Sequence, residues 1–468
     1  MTTSAVSVSL DPTPIEPIDF IRRALDSAKG RSAFTVATVP APLLPLEAVV
    51  GAAADESAVL WSPPEGPGFA ALGAAETFVG SGAARTEQIR GLAEGFFSRL
   101  EHVALGDDSP PPSLRCFGGL SFQAGSAAAE PWTGFGDARF VFPRFRYACQ
   151  GERAWLSVGA RADETASDGS RRALVVATAS LLSALHAAAR SNPVVTRPGA
   201  RRVVLRDETS EAEYRALVQA IVDRIGQGEF EKVVIARRST LSFEGPVDVT
   251  SVLRDLAETS EHCTRFAFRF GRVTFLGATP ERLIRQKGLA IDTEALAGSS
   301  DAAQAVELMR SPKERQEHDL VVREIVRALA PLCVTLEHPT APEVRVLRHL
   351  LHLTTPIRGK LARPVHVLDL VQRLHPTPAV GGVPGPDAVR FITEHEPAQR
   401  GWYASPIGWF DADGDGEFAV GLRSGALVGD KAYLYAGGGI VKDSDPASEY
   451  AETRLKLATL SAALHVAQ

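Results

Sequence analysis

Cysteine is scarce in this 468-residue chain, and Cys116, Cys149, Cys263 and Cys333 lie far apart with no CxxC spacing. That pattern excludes a zinc knot or a dense disulfide framework and points to a reducing cytoplasm. Positive charge is also short: the formal net charge is −6, which leaves no global field to hold a phosphate backbone and excludes nucleic acid as the expected partner. Long apolar runs are missing too. The longest, "ALVVATASLLSALHAAA" at 173–189, is too short and too marked by Ser, Thr and His for a membrane span, and reads as a buried amphipathic helix. The N-terminal "MTTSAVSVSLDPTPIEP" lacks a basic segment followed by an apolar one, so no secretory signal is expected. There is no GxxxxGK[ST] phosphate loop, no HExxH pair and no GxSxG elbow. Nucleotide hydrolysis and covalent acyl transfer therefore have no support.

What is present is globular. Hydrophobic residues make up 45% and charged residues 23%, which removes disorder as the default, and the length can bury a large core in two or three structural units. A proline-bearing connection, "RSNPVVTRPGARR", divides residues 1–200 from 201–468. In the first part, "ARFVFPRFRY" interleaves Arg139, Arg144 and Arg146 with aromatics, a pattern of single-strand nucleic-acid platforms, but a half-buried strand explains it more simply. In the second part, "SEAEYRALVQAIVDRIGQG" predicts a helix with Ser210 as N-cap, Glu213 as capping-box partner and an end at Gly226 and Gly228. Strand-like stretches follow at "EKVVIARRSTLSF", "RFAFRFGRVTFLGA", "GEFAVGLRSGALV" and "AYLYAGGGIV", several joined by short Gly/Asp turns. "DADGDGE" imitates the start of a calcium loop, but Leu422 stands where the twelfth-position glutamate belongs, so it reads as a hairpin turn. The pattern is mixed α+β with mostly antiparallel sheet.

Several stretches invite chemistry. In "DPASEYAETRLKL", Asp445 caps a helix with Pro446 at its first position, and Glu449, Glu452 and Lys456 fall within one narrow arc. Alone, Glu452 and Lys456 are an ordinary i,i+4 surface pair. "SPKERQEHDLVVREIVRALAPL" opens with Ser311, Pro312 and Glu314 as cap, first residue and capping-box partner. Its Glu317 projects on the side of Val321 and Ile325, where a carboxylate must be neutral, paired or metal-bound. Two such helices could clamp Mg2+. Lys232 starts the apolar strand of "FEKVVIAR", either snorkelling at a strand end or desolvated into a general base. Glu281 in "FLGATPERLI" is either a solvated turn residue or, if buried, a general acid. His352, Ala379, Arg423 and the glycines of "YAGGGIV" are weak signals singly; Arg423 and exposed backbone N–H groups suit carboxylates.

Taken together and in order, "EKVVIAR", "GATPERL", "EALAGS", "KERQEH", "LLHLTTPIRGK", "LHPTPAVGG", "GLRSGAL", "AGGGIV" and "SEYAETRLKL" resemble the chorismate-utilising enzymes, and among them the isochorismate synthases. The motifs cover about residues 205–460; "FGGLSF" and "FVFPRF" extend the likeness faintly into the first part. The resemblance implies a large two-sheet, mostly antiparallel β core flanked by helices, with residues 1–200 completing the sheet of the 201–468 catalytic region in one intertwined domain. It also implies Mg2+ and chorismate, a cyclohexadiene with a ring carboxylate and an enolpyruvyl carboxylate.

Carried over by position, the resemblance makes Lys232 the base that activates water for attack at ring C2 and Glu281 the acid that protonates the departing C4 hydroxyl. Glu317 and Glu452 would bind Mg2+, with Glu449 acting through water. Arg423, Lys456 and the amides around Gly437 would receive the enolpyruvyl carboxylate, while Gly298, Ser299 and His352 line the ring pocket. Ala379 and Tyr403 join the substrate-binding set. Amine-transferring relatives lack a base lysine at Lys232, and some use a lysine where "PIRGK" has Arg358; salicylate synthases tend to carry threonine at Ala379. The implied enzyme is thus a cytoplasmic isomerase that stops at isochorismate, for menaquinone or siderophore biosynthesis. It would be a monomer, with neither a membrane association nor a glutamine amidotransferase subunit.

Overall fold

The computed structural model describes residues 16–28, 32–51, 57–105, 110–190, 203–301, 305–347 and 350–466. The connection at 191–202 and the N-terminal segment at 1–15 lie outside them, as does part of the loop between "LAGSS" and "KERQEH", at 302–304. Among the described residues, 21 strands join in one hydrogen-bonded network, antiparallel except where Phe34–Ala41 runs parallel to Leu100–Ala104. The mostly antiparallel β core flanked by helices is what the chain forms.

Pairing crosses the chain from end to end. Ser57–Ser62 pairs with Thr264–Phe270, and Arg115–Leu120 with Pro406–Asp411. The aromatic core does the same: Trp132, Phe135, Phe275 and Trp402 pack edge to face, with Phe135 and Trp402 centroids 4.9 Å apart. Truncating a buried tryptophan at such a junction costs about 3–5 kcal/mol. "ARFVFPRFRY" forms the strand Ala138–Gln150, but it is buried on both faces rather than half-buried. Arg146 is accordingly inside, donating to the carbonyls of Ser113 and Pro112.

Local signals set the helices. Ser210 caps Glu211–Gly226 with Glu213 completing the box, and Asp445 accepts from Ser448 N at the start of Pro446–Ala463. The helix Asp168–Arg190 departs from expectation. Arg171, Thr178, Leu182 and Leu185 form its buried stripe, but most of its other residues are exposed or only partly buried, Val176 among them. It is the one helix among the described residues long and apolar enough to cross a membrane, by length and composition only.

The site is organised by the strand Lys232–Phe243. One edge pairs along its length with Lys431–Ile440, while the other pairs only at its ends, with Gly382–Val383 and Val203–Asp207. A buried ion pair fills the gap. Glu396 Oε1 accepts from Ala236 N at 2.7 Å, and Arg400 donates to Val234 O at 2.9 Å and Val380 O at 2.7 Å. Side chains thus replace a missing strand at Val234 and Ala236.

Candidate active site

The strands Lys232–Phe243, Ala290–Asp301 and Lys431–Ile440 and the helices Pro312–Leu329 and Pro446–Ala463 frame a cavity of about 80 Å³ that opens to solvent. Its wall carries Glu281, Gly298, Ser299, Glu317, His352, Ala379, Tyr403, Arg423, Gly437, Glu452 and Lys456. Residues as far apart in sequence as Glu281 and Lys456 therefore meet at one site. Lys232 and Glu449 are not part of that wall; Lys232 lies behind Glu317, and Glu449 is held by Lys313 and Ser444. Arg358 does not belong to it: Ile357 points inward and is fully buried, so strand alternation turns Arg358 out, where it is 79% exposed and faces Asp292. The "PIRGK" arginine is therefore no guide to the nucleophile.

Lys232 is fully buried, and its Nζ lies 2.9 Å from Glu317 Oε1. This contact is electrostatic and lacks the angles of a hydrogen bond, and no other partner is present. Gly439 explains how the pair fits: a Cβ there would lie 2.3 Å from Glu317 Oε1 and 2.8 Å from Lys232 Cε. Next to it, a Cβ on Gly438 would meet Glu449 Oε2 at 2.9 Å. The glycine run thus makes room for carboxylates as well as baring backbone. Gly437 O accepts from Lys456 Nζ at 2.8 Å, and the Gly437 N–H points to the same side, beyond the end of Ser424–Val428.

Glu281 is 4% exposed, held where Val273–Thr279 turns into Arg282–Lys287. Burial, followed by the charge of Glu294, lifts its pKa to about 8, against the opposing pull of Lys232 and Arg345. The pair that tunes it also grips its neighbours: Arg345 donates to Pro280 O at 2.9 Å, and Glu294 accepts from Arg282 N at 3.0 Å.

The "GEFAVGLRSGALV" stretch breaks into Gly416–Val420 and Ser424–Val428, with Arg423 between them at φ 50°. A non-glycine residue in the left-handed region carries strain, and here it aims the guanidinium into the site. Arg423 Nη2 donates to His352 Nε2 at 3.0 Å, while Nη1 is buried with no hydrogen-bond partner. Arginine has no acceptor, so the His352 proton sits on Nδ1, which donates to Ser299 Oγ at 3.0 Å and to the backbone of Gly298. Ser299 in turn donates to Glu452. Burial, then the charges of Arg423 and Lys456, keep His352 neutral, well below its usual pKa. Tyr403 stacks on Tyr435 at 5.0 Å and closes the cavity; burial raises its phenol to about 12.

The acidic residues do not gather into a ready metal cage. Among the described residues, no three His, Cys, Asp or Glu side chains are spaced to hold an ion. Each predicted ligand instead holds a lysine. Glu317 faces Lys232, Glu449 takes Lys313 at 2.8 Å, and Glu452 takes Lys456 at 2.7 Å. The i,i+4 pair of Glu452 and Lys456 therefore forms, but in a cavity wall rather than on the surface. Burial, then Glu452, raises Glu449 to about 7.

Two residues of this cluster escaped sequence reasoning. Glu314 does not turn back to cap its helix; its Oε2 accepts from Ser299 N at 2.9 Å, across the Gly298 bulge. Burial, then the charge of Glu317, raises its pKa. Lys313 reads in sequence as a solvated first-turn lysine, and only the arrival of the C-terminal helix gives it Glu449.

Comparison with known proteins follows the same lines. A family model described as chorismate binding enzyme matches residues 20–465. The chain is 35% identical over 374 residues to the isochorismate synthase MenF of Bacillus subtilis, covering 78% of this chain and 76% of that protein. It is 38% identical over 392 residues to the salicylate biosynthesis isochorismate synthase of Pseudomonas aeruginosa, covering 81% of each. Among solved structures, the menaquinone-specific isochorismate synthase MenF of Escherichia coli matches with a TM-score of 0.75 at 26% identity, over 95% of this chain and 99% of that one. Anthranilate synthase component I of Streptococcus pneumoniae, at 21% identity and a TM-score of 0.66 over 86% and 93% of the two chains, shares the fold.

Proposed function

The chain belongs to the chorismate binding enzyme family, and on that premise we propose that it is a Mg2+-dependent isochorismate synthase, adding water at ring C2 of chorismate with loss of the C4 hydroxyl. One observation carries the reading: Arg423 Nη1 is a buried cationic donor in the cavity wall without a hydrogen-bond partner, and Lys232 Nζ, fully buried behind that wall, contacts only Glu317. Buried donors left in that state call for a ligand acceptor, and a dicarboxylate supplies several.

In this reading Lys232 acts as the free amine and takes the proton from the attacking water, while Glu281, still protonated at neutral pH, gives its proton to the departing hydroxyl. Arg423, Lys456 and the Gly437 amide orient the enolpyruvyl carboxylate. The hydrogen bonds running from Arg423 through His352 and Ser299 to Glu452 fix those groups before substrate arrives.

The donor set suits magnesium, since carboxylate oxygens are its preferred protein ligands. Glu317 and Glu452 would hold it, with Glu449 through water, and it would supply positive charge to the ring carboxylate. Four carboxylates here lie among three lysines and Arg423, and a divalent cation would add the positive charge that a dicarboxylate substrate calls for.

Ala379, half-buried in the wall, favours stopping at isochorismate. Water as nucleophile needs no ammonia-delivering subunit, and we expect a monomer. The four free cysteines suit a reducing cytoplasm. Incubation with chorismate and Mg2+, with products separated by chromatography, should yield isochorismate; salicylate with pyruvate would instead identify a salicylate synthase.

A further inference from the structure

We propose that Lys313 is a resident cation that holds the acidic cluster together and is displaced when a divalent cation binds. This rests on the reading that Glu317, Glu449 and Glu452 take such a cation. Lys313 stands one turn before Glu317 on the helix Pro312–Leu329. Its Nζ lies 2.8 Å from Glu449 Oε1 on the C-terminal helix and 3.4 Å from Glu314 Oε1 on its own. One ammonium therefore bridges the two helices that supply the carboxylates.

The other lysines are fixed where they are. Lys232 is fully buried, and Lys456 is tied to the Gly437 carbonyl as well as to Glu452. Lys313 is 25% exposed and its contacts are to carboxylates, so its four-carbon stem can carry the charge out to solvent. Glu449, by contrast, is nearly sealed and keeps Ser444 Oγ at 2.7 Å when the lysine leaves. Ammonium and metal thus compete for the negative charge of one carboxylate cluster, the ammonium at Glu449 and Glu314 and the metal beside them at Glu317 and Glu452. The lysine prevents mutual repulsion in the metal-free pocket, and by the same contact it lowers the apparent metal affinity.

The test is a titration of the substrate-free protein with Mn2+, followed by the paramagnetic signal of the free ion, beside the thermal midpoint with and without Mg2+. Lys313→Met should bind Mn2+ roughly fivefold or more tightly than the wild type, melt lower without metal, and gain more from Mg2+. Lys313→Gln, which keeps a hydrogen bond to Glu449 without the charge, should also tighten binding and covers the case in which the methionine variant does not fold. Lys313→Arg should bind no more tightly than the wild type. Unchanged or weaker binding in the uncharged variants, or equal tightening by arginine, overturns the inference while leaving the cation site standing. No saturable Mn2+ binding to the wild type sinks the cation site itself, and this inference with it.

Discussion

Two buried ion pairs flank the strand Lys232–Phe243, and they differ in how completely they are satisfied. Arg400 donates to both oxygens of Glu396 and to two backbone carbonyls, and lies 4.3 Å over the ring of Phe122; Glu396 also accepts from the strand. Lys232 has one oxygen of Glu317 and nothing else. A saturated pair has no capacity left for a ligand and serves as scaffold. An unsaturated one, kept beside a cavity, has a proton or a bonding direction to spare.

The same substitution should therefore give opposite results at the two ends. Lys232→Met should lower kcat/KM about 10³-fold or more, on the scale of a lost general base, with the unfolding midpoint little changed. Arg400→Met should cost about 3–5 kcal/mol in denaturant unfolding, because it strands a buried carboxylate, with activity falling only as the fold is lost. A stable Arg400→Met protein, or an unstable Lys232→Met one, would break the contrast.

Glu281 extends the contrast to a lone acid with no counterion of its own. Its folded pKa of about 8 lies above the unfolded value, so its neutral form stabilises the fold at low pH, and that stability is lost as pH rises toward 8. Glu281→Gln should remove this dependence, gaining on the wild type by on the order of a few kcal/mol across that window, while abolishing isochorismate formation. Parallel stability–pH curves for the two proteins would place the carboxyl in water.

Much of this was legible in sequence where the signal is local. Ser210, Ser311 and Asp445 cap as their spacing predicts, and the side of Glu317 follows from Val321 and Ile325. What was not legible depends on contacts made by distant segments. Glu396 and Arg400 have the i,i+4 spacing of a surface pair, and spacing says nothing of burial. Glu314 fits a capping box, yet the bulge at Gly298 offers it a better donor. Arg423 lies in a stretch with strand character throughout, and no composition signal marks its left-handed turn. Lys232 was readable both ways until its burial decided between them.

The finest distinction concerns the pair behind Glu281. Glu294 and Arg345 bind each other at 2.5 and 3.0 Å and hold the residues on either side of the acid, so they could act as scaffold, as tuner, or as both. Glu294→Gln keeps the side-chain shape and removes one negative charge. That loss, together with the Arg345 charge it uncovers, favours the carboxylate form of Glu281, whose other charged or titratable neighbours are Lys232 and Tyr403. The acid would then lose its proton at lower pH, and the alkaline limb of the kcat/KM profile should move down from about 8. A purely mechanical support predicts otherwise: kcat/KM would fall by the same factor at every pH, and the limb would stay in place.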